Sequence, residues 1–129
     1  MSYFKVKASI LQENGKYKIE TFLTNEYDWM DAGKRISSLL GSDDEIEDIC
    51  LMKQYKPAIN EKYDDNNKLY LVKIAQDMVI EDQVKTVKYV MPAFANNSNE
   101  LYKIVNDYIA QGLDDMRLTT ISETKWIYV

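Results

Sequence analysis

The fold is decided by two short stretches, FKVK at residues 4–7 and YLVK at residues 70–73. Each predicts the first strand of a series that continues with a polar turn, a second strand, an amphipathic helix and a third strand. The turns fall at Asn14-Gly15 and at Glu81-Asp82. A single copy of this series is too short to bury one face of its own sheet. We therefore expect two tandem strand-strand-helix-strand units that fold together as one pseudo-two-fold domain.

The expected architecture is α+β, with antiparallel strands from both units and two helices that cover the apolar faces. Unit one is assigned to residues 1–55, a polar connector to residues 56–68, and unit two to residues 69–129. Each unit is too small to stand alone, so the prediction is a single domain over residues 1–129. The sequence leaves open whether the six strands form one sheet or two.

The first unit combines an alternating pattern with a helical one. Apolar residues occupy every second position from Phe4 to Ile10, and the Asn14-Gly15 pair tolerates the positive φ of a tight hairpin. We expect a return strand from Tyr17 to Leu23, a helix that ends at Gly41, and a third strand from Ile46 to Tyr55. The helical stripe that a sheet should cover comprises Trp29, Ala32, Ile36, Leu39 and Leu40.

The second unit follows the same order. A strand from Val84 to Met91 precedes a helix that we expect Ser98 to cap and Gly112 to end. The last strand is predicted from Leu118 to Val129, so it reaches the final residue and should be held in a sheet or pair with another subunit. The buried face of the helix comprises Leu101, Ile104, Val105, Tyr108 and Ile109.

Composition sets the class of protein. The chain has 129 residues, 46% of them hydrophobic, which is enough for one ordinary core. The net charge of -5 argues against a broad nucleic-acid surface. The single Cys50 suits a reducing compartment, and no apolar run is long enough to span a bilayer or to resemble a signal peptide. We therefore expect a cytoplasmic protein without a membrane partner.

The residues of catalytic and cofactor chemistry are largely missing. The sequence has no histidine and only four glycines, which excludes His-based catalysis, His-based zinc sites and glycine-rich phosphate loops. The adjacent pairs Asp64-Asp65 and Asp114-Asp115 are typical of solvated loops, and Cys50 is typical of a small packed hydrophobe. We predict no catalytic residue, no cofactor and no metal site, and hence a protein that is not an enzyme.

Lysines and tyrosines on the two predicted hairpins form a candidate strip for single-stranded nucleic acid, since lysines can follow a phosphate backbone while aromatic rings stack on bases. The alternative is that the lysines protect the wet face and the edges of a sheet, which the acidic total favours. The candidate strip comprises Lys5, Lys7, Lys16, Lys18, Lys73, Lys85, Lys88, Tyr17 and Tyr89.

Four segments of the sequence carry a resemblance: YFKVK at residues 3–7, the Gly15-Lys16 turn, the helix with Ala32 and Ile36, and ISETKWI at residues 121–127. Together they resemble a family of uncharacterised domains from Bacteroidetes and their phages, including crAss-like phages. The resemblance spans almost the whole chain. Members of that family have no assigned activity, so the resemblance supplies no catalytic residue. It implies a phage or mobile-element protein that acts in the cytoplasm of a bacterial host.

Three functions then compete. The first, which we favour, is a non-catalytic accessory protein that binds a phage or host protein and forms a homo-oligomer, since ten tyrosines suit an interface. The second is binding of single-stranded nucleic acid by the lysine and tyrosine strip. The third is an acidic decoy that occupies the nucleic-acid site of a host protein, with carboxylates in place of phosphates. The decoy patch comprises Asp43, Asp44, Glu45, Glu47 and Asp48.

Overall fold

The computed structural model describes residues 1–112 and 115–129. The chain divides into two compact units, one formed by Met1–Lys53 with Lys125–Val129 and the other by Gln54–Thr124. Each unit contains one sheet and one helix, and antiparallel pairing predominates in both sheets. This arrangement confirms the predicted α+β class. Within the described residues, no helix is both long enough and apolar enough to cross a membrane.

The elements follow the predicted order of strand, strand, helix and strand in each unit, with one short extra strand at the end. They are β1 (Ser2–Leu11), β2 (Tyr17–Glu26), α1 (Trp29–Ser37), β3 (Glu45–Leu51), β4 (Lys68–Ile80), β5 (Gln83–Ala95), α2 (Ser98–Gln111), β6 (Asp115–Glu123) and β7 (Ile127–Tyr128).

The first strand of each unit lies inside its sheet. One sheet has the order β3-β1-β2-β7, and the other has the order β5-β4-β6. Both β1 and β4 pair antiparallel with two neighbours. The register shifts at the Lys7/Ala8 step of β1 and at the Lys73/Ile74 step of β4, in each case against the third strand of the unit. The pseudo-two-fold relation between the units stays a prediction.

The core of the first unit forms where α1 covers one face of its sheet. Phe4, Val6 and Ala8 alternate along β1, and Ala32 and Ile36 approach them from the helix; all five are buried. Full burial of a large apolar side chain stabilises a fold by roughly 1.5 to 3 kcal/mol. The predicted stripe is only partly covered, however, because Trp29 and Leu39 are exposed.

The core of the second unit is larger. Tyr70, Val72 and Ile74 of β4 are buried together with Leu101 and Val105 of α2. The partly buried side chains that pack against this core include Ile104, Tyr108, Ile109, Met116, Leu118 and Ile121. The predicted apolar face of α2 therefore packs on its sheet.

The ends of α1 are set by side-chain and backbone hydrogen bonds. The Asp28 carboxylate accepts a bond of 2.8 Å from the backbone N–H of Asp31, which satisfies a first-turn donor that the helix leaves unpaired. At the other end, the N–H of Leu39 donates to the carbonyl of Ile36. Such an i to i+3 bond tightens and closes the last turn. The helix therefore ends before Gly41, where we had predicted its end.

Asn97, and not the predicted Ser98, caps α2. Its side chain accepts a 2.9 Å bond from the backbone N–H of Glu100. Gly112 is the C-cap, as predicted, and its N–H donates to the carbonyl of Ile109. The strand before this helix, β5, continues to Ala95 instead of ending at Met91.

The third strand of the first unit ends at Leu51, so the predicted extension to Tyr55 is wrong. Residues 54–60 instead run along the outer edge of β5. The N–H of Val90 donates to Gln54 O, the N–H of Lys56 donates to Val90 O, and the N–H of Ile59 donates to Pro92 O. Part of the predicted connector is therefore bonded to the sheet of the second unit.

The predicted final strand is interrupted. Strand β6 ends at Glu123, and the N–H and the hydroxyl of Thr124 both donate to Leu69 O at 3.0 Å. The chain resumes as β7, which pairs parallel with β2. A strand at the chain terminus is held in a sheet, as predicted, but it belongs to the first unit.

Asn60 provides a test of the bonded connector. Its side chain donates to Phe94 O at 2.7 Å and accepts from Phe94 N at 2.8 Å, so it bonds both backbone groups of a buried strand residue. We expect Asn60→Ala to lower the free energy of unfolding by about 1 to 3 kcal/mol, as measured by urea denaturation. Asn106→Ala on the exposed side of α2 is the matched control, and an equal effect of both substitutions would contradict this role.

Candidate functional site

An open cleft of about 390 Å³ lies in the first unit. It is bordered by the start of β1, the end of β3 and the link between β2 and α1. This volume is within the range of about 300 to 1,000 Å³ that small-ligand sites occupy. The lining residues are Ser2, Phe4, Tyr27, Asp28, Trp29, Ile49 and Leu51.

The link between β2 and α1 positions the aromatic side of this cleft. Strand β2 ends at Glu26 and the helix begins at Trp29, so only Tyr27 and Asp28 separate them. Because the Asp28 carboxylate is bonded to the first turn of the helix, the backbone between the two rings is fixed. The N-cap residue therefore has an aromatic residue immediately before it and another immediately after it in the sequence.

The floor and the walls of the cleft differ in exposure. Phe4 in the floor is only 4% exposed, and it lies opposite Leu51 in the pairing of β1 with β3. Tyr27 and Trp29 are 77% and 63% exposed. Two large aromatic side chains beside a partly apolar cleft are typical of residues that bind a partner, since Trp and Tyr dominate the energetics of protein interfaces.

Among the described residues that line the cleft, Asp28 alone has an acidic or basic side chain. It lies at the N-terminus of α1, where the partial positive charge of the helix favours a carboxylate. A carboxylate that lines the same cleft as two aromatic rings provides two attractions for a positive group, one to the charge and one to the ring faces. The cleft therefore has the chemistry to bind a side chain with an apolar stem and a cationic end.

Sequence reasoning missed this site because it assigned Trp29 to the buried stripe of α1. The signal was present in the order Tyr27-Asp28-Trp29, where two aromatic residues flank a good N-cap residue. An N-cap lies at the rim of the surface that its helix covers, so side chains on either side of it can remain outside the core. Cys50, which we expected to be packed, is also exposed.

In the first unit, the residues of the predicted lysine strip do not all lie on one face of the sheet. One face carries Lys5 and Lys7. These two residues are two positions apart on β1, and Tyr17 lies on the same face through its pairing with Leu11. The ammonium of Lys5 lies 5.6 Å from the centre of the Trp126 ring, a cation–π contact.

The other two lysines of this hairpin lie elsewhere. Lys18 pairs with Ile10, which places it on the opposite face of the sheet from Lys5. Its ammonium lies 3.2 Å from the carboxylate of Glu20. Lys16 lies in the turn that precedes β2. The four lysines therefore do not line one face.

The strip is divided in the second unit as well. The register places Lys73 and Lys88 on one face of the sheet and Lys85 on the other. Tyr89 lies in the core, only 4% exposed, and its hydroxyl is 3.2 Å from Gln76 Oε1. Its ring has no open face for a base, so this residue is not placed as the strip requires. Binding of nucleic acid by the remaining residues stays a prediction.

Three residues of the predicted acidic patch share one face of β3, at the edge of the first sheet. Glu45 lies opposite Ser9 and Asp48 lies opposite Lys7, which are on the same face of β1. The register shift between these pairs brings Glu47 to that face too, where its carboxylate accepts a 2.6 Å bond from the Ser9 hydroxyl. A bulge of this kind places consecutive side chains on one side of a strand.

The other two acidic residues lie in the loop before β3. The Asp44 carboxylate accepts bonds from the backbone N–H groups of Leu11 at 2.9 Å and Gly41 at 2.8 Å, so it closes this loop. Asp43 is exposed beside it. Within the described residues, no group of three or more acidic or cysteine side chains is arranged to hold a metal ion. Asp114, one member of the Asp114-Asp115 pair, lies outside the described residues.

A second feature is the end of the β4–β5 hairpin, which we call the hairpin arm, residues 78–87. Strand β6 begins at Asp115 opposite Asp77, so the arm extends beyond the described part of β6. The arm ends in a two-residue turn in which Glu81 and Asp82 both have positive φ, as a tight hairpin requires. Its exposed apolar residues are Met78, Val79, Ile80, Val84 and Val87.

Asp77 connects three strands at the base of the hairpin arm. Arg117 on β6 donates to its carboxylate, and so does the hydroxyl of Thr86 on β5, at 2.6 Å and 2.7 Å. The Arg117 bond is the larger cause, and the Thr86 bond the second, of an Asp77 pKa below the usual 3.8. The base of the arm is therefore tied to both neighbouring strands.

Comparison with known proteins finds no matching family model, no matching curated protein and no matching solved structure.

The pKa of Asp77 tests this connection. We expect Arg117→Gln to raise the pKa of Asp77 toward 3.8, as followed by NMR of the side-chain carboxyl carbon, whereas Lys68→Gln should leave it unchanged. Because folding lowers this pKa, the bonded carboxylate stabilises the fold above about pH 3.8, and this contribution is lost as the pH falls through the lowered pKa. An unaltered titration in Arg117→Gln would contradict the assignment.

Proposed function

We propose that this protein is a non-catalytic interaction protein and that the cleft beside Asp28 binds its partner. The observation that carries the proposal is the pair of exposed aromatic side chains, Tyr27 and Trp29, which line the same cleft as the helix-capping Asp28. The absence of histidine from the sequence supports a binding role over catalysis near neutral pH.

The chemistry of the cleft favours a lysine or arginine side chain of another protein as the bound group. The apolar stem of such a residue would pack over Phe4 and Leu51, while its charge would lie near Asp28 and the aromatic faces. The partner that we propose is a phage or host protein in the bacterial cytoplasm, because the resemblance to phage and Bacteroidetes domains implies that setting.

Substitutions in the cleft test this function. We expect Trp29→Ala to reduce capture of the partner from nuclease-treated bacterial lysate at least about tenfold, because a central aromatic residue carries a large share of interface energy. Asp28→Asn should also weaken capture, and it retains an N-cap oxygen, so the helix should be preserved. Capture is quantified by mass spectrometry of the proteins retained by the tagged chain.

The matched control is Tyr102→Ala, which removes an exposed aromatic side chain from α2. It should capture the same proteins as the wild type. Equal capture by Trp29→Ala and the wild type would overturn the role of the cleft. Loss of capture after nuclease treatment of the wild type would instead favour nucleic acid as the bound species.

A second candidate function is mimicry of nucleic acid by the acidic face of β3. The register shift favours it, because it gathers Glu45, Glu47 and Asp48 on one face of an edge strand. Carboxylates in that arrangement would attract a basic site on a host protein.

The combined substitution of Glu45→Gln, Glu47→Gln and Asp48→Asn tests the mimicry. These amides keep the side-chain shapes and remove the charges, so a host protein that normally binds nucleic acid should no longer be captured. The control is Asp64→Asn with Asp65→Asn, which removes charge from an exposed part of the connector. Retained capture by the β3 variant would exclude mimicry by this face.

A further inference from the structure

The outer edge of β5 is covered along only part of its length. Residues 54–60 bond to it at Val90, Pro92 and Phe94, through the backbone or through the Asn60 side chain. Toward the turn, residues 83–88 are exposed to solvent. Within the described part of the chain, the open stretch of this edge therefore runs from Gln83 to Lys88.

The direction of the backbone groups along this open part follows from the covered part. Val90, Pro92 and Phe94 direct their backbone groups outward, to residues 54–60. Strand β5 pairs with β4 without a register shift, and backbone direction alternates along a regular strand. Val84, Thr86 and Lys88 therefore also direct their N–H and C=O groups outward, and Thr86 is the middle residue of these three.

We propose that this open edge pairs antiparallel with the same edge of a second copy of the chain, about a two-fold axis at Thr86. In this register Thr86 lies opposite Thr86 of the second copy, and Val84 lies opposite Lys88 in both directions. Each such pair exchanges two backbone hydrogen bonds. The two three-stranded sheets then continue into each other across the dimer, and the inference does not depend on the cleft or its ligand.

Side-chain charge disfavours two nearby registers. An axis at Lys85 or at Lys88 would place lysine opposite lysine, which is unfavourable in a strand pair. With the axis at Thr86, Lys85 lies opposite Val87 and Lys88 lies opposite Val84. The lysine stems can then cover valines that are exposed in the single chain.

Residues 54–56 hold the edge at Val90, where Gln54 O accepts from the N–H of Val90 and the N–H of Lys56 donates to Val90 O. The paired segment therefore extends from Val84 to Lys88. An extended, regular edge without a proline is a ready template for pairing with another strand.

The first test is the oligomeric state of the full chain. We expect a concentration-dependent dimer by sedimentation equilibrium. Thr86→Pro removes the central outward N–H while leaving the bonds to β4, so it should raise the dissociation constant at least about tenfold. Thr86→Val, which also loses the hydroxyl bond to Asp77 but keeps the N–H, should remain a dimer. A monomeric wild type would overturn the proposal. The open edge would then be available to a strand of a different protein.

A second test does not require a proline variant to fold. Hydrogen-bonded partners in an antiparallel pair have Cα atoms about 5.5 Å apart, within the range that a disulfide spans. In a Cys50→Ser background, Thr86→Cys should form a disulfide-linked dimer on mild oxidation. Val79→Cys, exposed on β4 of the same arm, should form little. Equal cross-linking of both variants, or none of Thr86→Cys, would overturn the register.

Discussion

The structure depends on one constraint, which is the need to pair the backbone groups on the outer edge of the second strand of each unit. Strands β1 and β4 each lie between two long strands. Strands β2 and β5 each have a long partner on one side only, so their other side needs a different partner. The chain meets this requirement with the segments that follow β3 and β6. Residues 54–60 bond to β5, and β7 pairs with β2. Each unit thus completes its sheet with a segment that follows the third strand of the other. Among the described residues, the bonds of residues 54–60 reach only as far as Val90 and leave β5 open from Gln83 to Lys88. This incomplete cover leads directly to the proposed dimer.

The cleft of the first unit depends on a local constraint of a different kind. The first turn of α1 needs a hydrogen-bond acceptor, and Asp28 supplies it immediately after the end of β2. Tyr27 and Trp29 are the immediate neighbours of this cap in the sequence, and both side chains are exposed. The same carboxylate thus starts the helix and gives the cleft its charge. Asp28 therefore contributes both to stability and to the proposed binding role. Asp28→Asn is the informative substitution because it preserves the cap and removes the charge.

The distribution of charge explains why neither predicted charged surface is present as a whole. Successive side chains of a strand point to opposite faces, so the face of each lysine depends on its position and on the pairing of its strand. Lys18 pairs with Ile10, and it therefore lies on the opposite face of the first sheet from Lys5. The register shift between β1 and β3 has the reverse effect and gathers three carboxylates on one face. Asp44, meanwhile, is used to close its own loop. The acidic surface that remains is smaller than the sequence indicates, but it is concentrated on an edge strand.

The order of elements, the α+β class and most of the apolar core follow from the sequence alone. The alternation from Phe4 to Ile10 and the apolar face of α2 are local patterns, and such patterns favour packing of their apolar side against another element. Tertiary structure decided where Trp29 would lie, how far β3 and β5 would extend, and that the last strand would break after Glu123. It also decided which edge stays open. These features depend on pairing between residues far apart in the chain, such as Gln54 with Val90, and such pairing is set by competition for backbone hydrogen bonds that no local pattern records.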